Sequence, residues 1–252
     1  MQTILKVRDL EKVYGGRGNV THALRGISFD VRQGEYVGVM GASGSGKTTL
    51  LNCVSTIDTA TAGTILIEGA DVTKLKGGEL AHFRCHKLGF IFQDYNLLDT
   101  MTAFENIALA LTIAKYPAKK TEQRVREVAA QLSIEDILDK YPIQMSGGQR
   151  QRIASARAIV TNPALVLADE PTGALDSKSA RALLESFRAM VAELQSTILV
   201  VTHDPFSASY CDRILFMRDG KLFTELVRGT DNRKAFFDKI IEVVAVLGGE
   251  AA

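Results

Sequence analysis

The chain has 252 residues, of which 46% are hydrophobic and 23% charged, and its formal net charge at pH 7 is +1. This composition is typical of a globular protein with a sizeable core. Lysines and arginines are scattered along the chain, which argues against nucleic acid as the main partner, because phosphate backbones require a clustered basic surface. Cys53, Cys85 and Cys211 are far apart, so we expect free thiols rather than disulfides or a metal site.

The first residues contain no signal-peptide core. No apolar run approaches the roughly 18 to 20 residues that a membrane-spanning helix needs. We therefore expect a soluble protein of the cytoplasm.

In chain order, alternating apolar and polar residues predict antiparallel strands at residues 4–10 and 26–31, on either side of a glycine-bearing loop at residues 15–19. A turn at residues 32–34 leads into a buried strand at 36–40 and a helix from 47. A strand at 62–69, a short helix at 79–87 and a buried strand at 88–92 follow. Tyr14, just before the loop, is either a ring that stacks on a base or a half-buried strand residue.

Residues 94–157 then show a helical pattern, with helices predicted at 104–114 and 122–132. The core resumes with a buried strand at 164–168, a helix at 177–194 with Ser177 as its N-cap, and a buried strand at 197–201. A hairpin at 213–223 turns at Asp219-Gly220, and an apolar helix is predicted at 236–247. The sequence therefore predicts an α/β fold, with a mostly parallel core sheet, an antiparallel β region and a helical insertion.

The most informative stretch is Gly41-Ala-Ser-Gly-Ser-Gly-Lys-Thr48, which matches the phosphate-loop pattern G-x-x-x-x-G-K-[ST] between a strand and a helix. Its glycines allow backbone N–H groups to turn towards a phosphate. Lys47 can reach the β- and γ-phosphates, the hydroxyl of Thr48 can hold Mg²⁺, and the helix N-terminus adds partial positive charge. We predict a nucleotide site made by Gly41, Ala42, Ser43, Gly44, Ser45, Gly46, Lys47, Thr48 and Thr49.

Two acids follow the apolar strand at residues 164–168. Asp169 can hold Mg²⁺ directly or through water, and Glu170 can polarise an attacking water. A pair of acids at a strand end is weak evidence alone. Beside a phosphate loop, it favours a site that hydrolyses a nucleotide.

A second glycine-rich helix start lies at Ser146-Gly-Gly-Gln149, directly before a basic amphipathic run. Its backbone N–H groups can bind an anion. One fold cannot easily bring two such helix ends onto the same γ-phosphate. The simplest arrangement is two copies head to tail, in which Ser146, Gly147, Gly148 and Gln149 cap the nucleotide of the other copy.

With these motifs in place, the chain resembles the nucleotide-binding subunit of an ATP-binding cassette (ABC) transporter. Residues 41–48 match the Walker A motif, Met145-Ser-Gly-Gly-Gln149 the LSGGQ signature and residues 165–170 the Walker B motif. Gln93 matches the Q-loop, Gly173-Ala-Leu-Asp176 the D-loop and His203 the switch histidine. Met145 departs from the usual leucine of the signature, and Gly173 departs from the usual serine of the D-loop.

The resemblance implies the ABC ATPase fold, in a single nucleotide-binding domain at residues 1–252. A helical subdomain would span about 94–160, and a helical tail about 230–252. It implies an ATPase that uses ATP and Mg²⁺, with Thr48, Gln93 and Asp169 at the metal. Tyr14 would stack on adenine, and Asp176 would contact the phosphate loop of a second copy. The implied catalytic residues are Glu170, His203, Lys47 and Gln93.

Residues 90–99, 201–211 and the tail look most similar to bacitracin-type (Bce-type) peptide-antibiotic resistance modules, and residues 170–176 to the macrolide-exporter and lipoprotein-release branch. The resemblance implies a permease partner, a homodimer around two ATP molecules, a place at the cytoplasmic face of the membrane and, often, signalling to a sensor kinase. Alternatives are a related macrolide-type or lipoprotein-release exporter, and a soluble ABC ATPase of repair or translation. The soluble ATPase lacks support, since no coiled coil, zinc module or second cassette is visible in the sequence.

Overall fold

The computed structural model describes residues 2–16 and 18–249. Met1, Arg17 of the predicted loop at 15–19, and residues 250–252 of the predicted tail lie outside the described residues. The chain forms two compact units. The first unit comprises Met1–Leu75 and Thr197–Ala252, and the second unit comprises Lys76–Ser196.

In chain order, the strands are β1 (Thr3–Gly16), β2 (Asn19–Arg32), β3 (Tyr36–Gly41), β4 (Ala62–Ile67), β5 (Ala70–Asp71), β6 (Leu88–Ile91), β7 (Leu165–Asp169), β8 (Ile198–Val201), β9 (Arg213–Arg218) and β10 (Lys221–Val227). The helices are α1 (Lys47–Val54), α2 (Gly77–Lys87), α3 (Ala103–Ile113), α4 (Ala118–Gln131), α5 (Gly147–Ile159), α6 (Ser177–Leu194), α7 (Pro205–Ala208) and α8 (Arg233–Gly249). Single 3₁₀ turns lie at Glu135–Ile137 and Pro142–Gln144.

The antiparallel β region of the first unit is a four-stranded sheet in the order β2-β1-β4-β5. Its first two strands are about twice as long as the sequence pattern predicts. The register of β1 shifts between Val7 and Leu10, where Asp9 has a positive φ of 45°. Further shifts lie between Leu10 and Glu11 and between Lys12 and Val13, so the alternation of apolar and polar residues is interrupted where the predicted strand ends.

The first unit also contains four neighbouring strands of a second sheet, in the order β10-β9-β3-β8. Strand β3 pairs in parallel with β8 and β9, and β9 pairs antiparallel with β10. Every residue of β8, and β3 up to Met40, is buried, as expected of central parallel strands. Because parallel strands end at one sheet edge, the loop after β3 and the residues after β8 lie together. The sheet therefore places the phosphate loop and His203 at the same edge of this unit.

In the second unit, β6 and β7 pair in parallel, and α3, α4 and α5 lie between them in sequence. Ile91 is opposite Ala168 in the register, so Gln93 and the two acids Asp169 and Glu170 lie at the same end of the strand pair. The mixed α/β class, the parallel strands and the antiparallel region are confirmed. Among the described residues, no helix combines the length and apolar character that crossing a bilayer requires.

Helices α6 and α7 also differ from the sequence prediction. The N-cap of α6 is Asp176, not Ser177: its carboxylate accepts hydrogen bonds from the backbone N–H groups of Lys178 and Ser179, each at 3.0 Å. A carboxylate reaches these donors better than the hydroxyl of the next residue, which is already helical. The short helix α7 was not predicted, although Asp204 caps it and Pro205 occupies its first turn.

Candidate functional site

The phosphate loop joins β3 to α1 in the first unit. Gly46 is the N-cap of α1, with φ of 100°, and no side chain caps this helix end. A Cβ atom at Gly46 would lie 2.5 Å from the carbonyl oxygen of Ala23, and one at Gly41 would lie 2.3 Å from that of Met217. Only glycine fits this close backbone packing, which leaves the N–H groups at the start of α1 for an anion.

Two polar side chains of the loop are buried. The Lys47 ammonium is 9% exposed and donates to the carbonyl oxygens of Gly41, at 2.8 Å, and Ala42, at 2.9 Å. The Ser45 hydroxyl is 4% exposed and has no hydrogen-bond partner among the described residues. A buried hydroxyl without a partner is costly, so this loop suits a ligand that supplies oxygen acceptors. Thr48 and the loop tip are exposed, as a nucleotide site requires.

Tyr14 lies on β1 with its ring 40% exposed. Its hydroxyl donates to Asp58 at 2.6 Å, and the Lys12 ammonium lies 4.7 Å from the ring centre. Burial and the hydrogen bond to Asp58 raise the pKa of Tyr14, while a hydroxyl contact with Thr49 of α1 lowers it. Tyr14 is therefore fixed beside the phosphate-loop helix, in a position that suits base stacking. Sequence reasoning missed Lys12 and Asp58, although Lys12 is on the same strand face as Tyr14.

His203 lies two residues after the end of β8 and is exposed. The backbone on either side of it is held by hydrogen bonds. Thr202 N–H donates to the carbonyl of Val39 at 3.1 Å, and Asp204 caps α7. The imidazole thus projects from a rigid turn at the sheet edge that carries the phosphate loop.

The acids of the second unit end β7. Asp169 and Glu170 are both half-buried. Glu170 has a positive φ of 44°, a conformation that is strained for a non-glycine residue and that clusters at functional sites. This backbone sets the direction in which the Glu170 carboxylate leaves the strand end.

Gln93 lies against the D-loop within the second unit. A Cβ atom at Gly173 would lie 3.1 Å from Nε2 of Gln93, and the N–H of Gly173 donates to the carbonyl of Glu170 at 3.0 Å. The structure thus brings Gln93 together with the segment that begins at Glu170. The glycine that departs from the family pattern makes room for the Gln93 amide.

We predict that Gly173→Ala displaces Gln93 and lowers ATP turnover about 10- to 100-fold, because small misplacements of catalytic groups are costly. Steady-state turnover of the purified chain measures this. Gly78→Ala is the matched control, since a Cβ atom at Gly78 would meet nothing within 4 Å. Equal turnover of the two variants would contradict the positioning role of Gly173.

The signature residues start α5. The side chain of Ser146 caps the helix, and its N–H donates to Gln149 at 2.9 Å, which completes a capping box. A Cβ atom at Gly148 would lie 2.7 Å from the hydroxyl of Ser179. Ser179 in turn donates to Asp176 at 2.6 Å, and its hydrogen bonds lower the pKa of the Asp176 carboxyl. The structure therefore brings the signature helix and Asp176 together in the second unit.

A groove of about 380 Å³ opens beside this helix in the second unit. We call it the side groove. Its walls are mostly apolar and include one cation: Cys85, Phe90, Phe92, Ala110, Ile113 and Arg157. Ile113 is 56% exposed and gives the groove an accessible apolar contact.

The three cysteines differ in their surroundings. Cys53 and Cys211 are buried, and burial raises the pKa of the Cys53 thiol to about 11. Cys85 is half-buried and lines the side groove. Because thiolates are the reactive form, we predict that a maleimide near neutral pH modifies Cys85 alone in the folded chain and all three thiols after unfolding. Mass spectrometry checks this, with Cys85→Ser as the control. Native labelling of Cys53 would contradict the assignment.

The predicted site residues thus fall into two groups. The first unit holds the phosphate loop, Tyr14 and His203. The second unit holds Gln93, Asp169, Glu170, the signature and Asp176. The predicted Mg²⁺ ligands are divided between them, with Thr48 in the first unit and the other two in the second.

The chain matches known ABC proteins. Residues 24–173 match the family model described as ABC transporter. The bacitracin export ATP-binding protein BceA of Halalkalibacterium halodurans is 51% identical over 98% of this chain and 97% of its own length. The macrolide export ATP-binding/permease protein MacB of Brucella abortus is 40% identical over 89% of this chain, but only 35% of its own length.

Solved structures of ABC proteins also resemble this chain. MJ0796 of Methanocaldococcus jannaschii, solved as a dimeric ABC transporter cassette, superposes with a TM-score of 0.81 at 35% identity, over 89% of this chain and 98% of that chain. A second structure of that cassette holds ADP and Pi in a post-hydrolysis state. These matches, together with the phosphate loop, the capped signature helix and the acids at the end of β7, show that the chain belongs to the ABC transporter family, as an ATP-binding subunit that hydrolyses ATP.

Proposed function

We propose that this chain powers the export of cell-envelope peptide antibiotics such as bacitracin, or their release from their target. The observation that carries the proposal is the match to BceA along almost the whole of both chains. The MacB relatives support a macrolide-type exporter as the second candidate, at lower identity and over about a third of their length. The likeness to transporter subunits argues against a soluble repair or translation ATPase.

In the proposed site, Ser45, the loop N–H groups and Lys47 bind the ATP phosphates, and Tyr14 stacks on adenine. Thr48, Asp169 and Gln93 would hold Mg²⁺, whose oxygen-rich donor set fits hydroxyl, carboxylate and amide groups. When bound, the ion neutralises charge on the β- and γ-phosphates. Glu170 accepts a proton from the attacking water, and His203 orients that water.

A second copy of the chain completes this site. The MJ0796 cassette is dimeric, and both glycine-bearing helix starts of this chain are built to bind anions. In a head-to-tail dimer, the signature of one copy caps the nucleotide held by the phosphate loop of the other. Asp176, which caps α6 within its own chain, would face that same interface.

The permease supplies the membrane-spanning part. We propose that a cytoplasmic helix of the permease occupies the side groove. Ile113 offers an exposed apolar contact, and Arg157 offers a positive charge on the wall. An amphipathic helix with an acidic residue matches both features. This contact would hold the chain at the cytoplasmic face of the membrane, where the permease would also link it to a sensor kinase.

Substitution in the side groove tests this partner. We predict that Ile113→Asp abolishes co-purification with the permease partner, because placing a carboxylate in an apolar contact is costly. Ile143→Asp is the matched control. Ile143 is 89% exposed in the same unit and is not part of the groove wall. Retention of the permease by the Ile113→Asp variant would contradict docking in the groove.

Antibiotic resistance tests the substrate class. In a strain that lacks the chain, re-expression should restore growth in bacitracin, and the Glu170→Gln variant should not. Restored growth in a macrolide but not in bacitracin would favour the second candidate and contradict the first.

A further inference from the structure

Arg157 is a half-buried residue near the end of α5, and its side chain lines the side groove. Its Nη1 donates to the carbonyl of Asn96 at 2.5 Å, and its Nη2 to that of Tyr95 at 2.9 Å. Burial lowers its pKa, and no carboxylate in the described part of the chain forms an ion pair with it. Removing a cation even partly from water without a counter-charge is costly, and the hydrogen bonds to these two carbonyls offset part of that cost.

The two carbonyls belong to an unusual backbone. Tyr95 and Asn96 are consecutive residues with positive φ, of 62° and 48°. Non-glycine residues seldom adopt this conformation, and it persists only where the surroundings hold it. Arg157 helps to hold this backbone by donating to the carbonyls of both residues, together with the turn bonds from their N–H groups to Phe92 and Asp94.

Tyr95 also reaches the other end of α5. The Arg150 guanidinium lies 5.0 Å from the centre of its ring. Its hydroxyl lies against Gly147 of the signature, where a Cβ atom would be only 3.0 Å away. Arg150 and Arg157 are seven residues apart and therefore share one face of the helix. Arg157 thus binds the backbone of Tyr95, and the signature end of α5 contacts its ring and hydroxyl.

The same segment forms a wall of the side groove. Phe92, Asn96 and Arg157 line it, and Gln151 of α5 donates to the carbonyl of Phe92 at 3.3 Å. A ligand in the groove therefore touches residues that are bonded directly to the signature helix. Packed networks of this kind can carry energetic coupling between two sites.

We propose that Arg157 and Tyr95 are positioning residues that couple occupation of the side groove to the position of Ser146-Gly-Gly-Gln149. The proposal rests on the proposed function, since the groove must receive the permease and the signature must cap a nucleotide. Coupling between two binding sites is reciprocal. Occupation of the groove therefore favours the nucleotide-capping position of the signature, and nucleotide capping favours occupation of the groove.

The test uses the complex reconstituted with the permease and compares the ATP turnover of complex and isolated chain. In Arg157→Lys, one amine replaces a guanidinium that serves two carbonyls, and Tyr95→Leu removes the ring and hydroxyl. We expect unchanged ATP affinity and at least an approximately five-fold loss of stimulation by the permease in both variants. Tyr95→Phe keeps the ring over Arg150 and should retain most of the stimulation. A general loss of stability would lower the activity of the isolated chain as well.

Arg152→Lys is the matched control. Arg152 lies on the same helix and also donates to two consecutive carbonyls, those of Leu132 at 3.5 Å and Ser133 at 3.2 Å, but it does not line the groove. The Arg152→Lys variant should keep the full stimulation of ATP turnover by the permease. Wild-type stimulation in folded Arg157→Lys and Tyr95→Leu would overturn the proposal. If Arg157→Lys does not fold, the stimulation measured for Tyr95→Leu tests the proposal by itself.

A second readout does not need the permease. An environment-sensitive fluorophore on Cys85 reports the state of the groove, and the Glu170→Gln background retains bound ATP. ATP should change the fluorescence of this label, and Tyr95→Leu should abolish the change without weakening ATP binding. No change in the chain with Tyr95 intact would overturn the coupling. Absence of any binding or stimulation by the permease would instead contradict the proposed function.

Discussion

Glu170→Gln should lower ATP turnover by about 10² to 10⁴-fold, because it removes the carboxylate that accepts a proton from the attacking water. The substitution keeps the shape of the side chain at the end of β7, so ATP binding should be retained. Steady-state phosphate release and equilibrium ATP binding measure the two effects separately. The strained backbone of Glu170 supports the idea that its direction is set for this task.

The control for this variant is Glu193→Gln, which neutralises an exposed carboxylate of α6 in the same unit. It should hydrolyse ATP at the wild-type rate. Wild-type turnover in Glu170→Gln would contradict the assignment of the general base. Asp169 would then be the remaining acid at this strand end.

Lys47→Ala should weaken ATP binding about 10- to 150-fold, which corresponds to about 1.5–3 kcal/mol for a hydrogen bond to a charged group. The ammonium is buried among the carbonyls of its own loop, where a phosphate would meet it with little solvent screening. Titration calorimetry with ATP checks the prediction.

Lys234→Ala, at an exposed lysine of α8 in the same unit, should bind ATP as the wild type does. This control separates the local role of Lys47 from the loss of one positive charge. Unchanged ATP affinity in Lys47→Ala would argue against the phosphate-loop interpretation.

The parts of the fold that the sequence predicts well are those determined by near neighbours along the chain. The phosphate loop is an example, because the strand, the glycines and the start of α1 occur in one short stretch whose pattern encodes its geometry. The hairpin turn at Asp219-Gly220 is another, and both residues have the expected positive φ. The buried parallel strands were also predicted, because a continuous apolar run marks them.

The sequence does not predict contacts between side chains that are distant along the chain. Arg157 and Tyr95 are 62 residues apart, and in a helical pattern Arg157 is only one of several basic residues. Asp58 and Tyr14 are 44 residues apart, and nothing in either segment indicates the other. Hydrophobic periodicity records which face of an element is buried, but not which residue a polar side chain meets.

The division into two units was also not predicted. The sequence pattern separates residues 94–160 as a helical insertion, whereas the compact second unit is Lys76–Ser196 and includes β6, β7 and α6. Strands of both units show the same apolar pattern, so composition does not distinguish them. The positions of Gln93 and Glu170 at one end of β6 and β7 depend on this pairing, which only the structure supplies.

The most direct test is ATP turnover by the purified chain, alone and after reconstitution with its permease partner, with and without bacitracin. We expect turnover that rises with the permease, responds to the peptide and disappears in Glu170→Gln. Turnover that is indifferent to the permease, or failure of the two proteins to assemble, would contradict the account of this chain as the ATP-hydrolysing subunit of a peptide exporter.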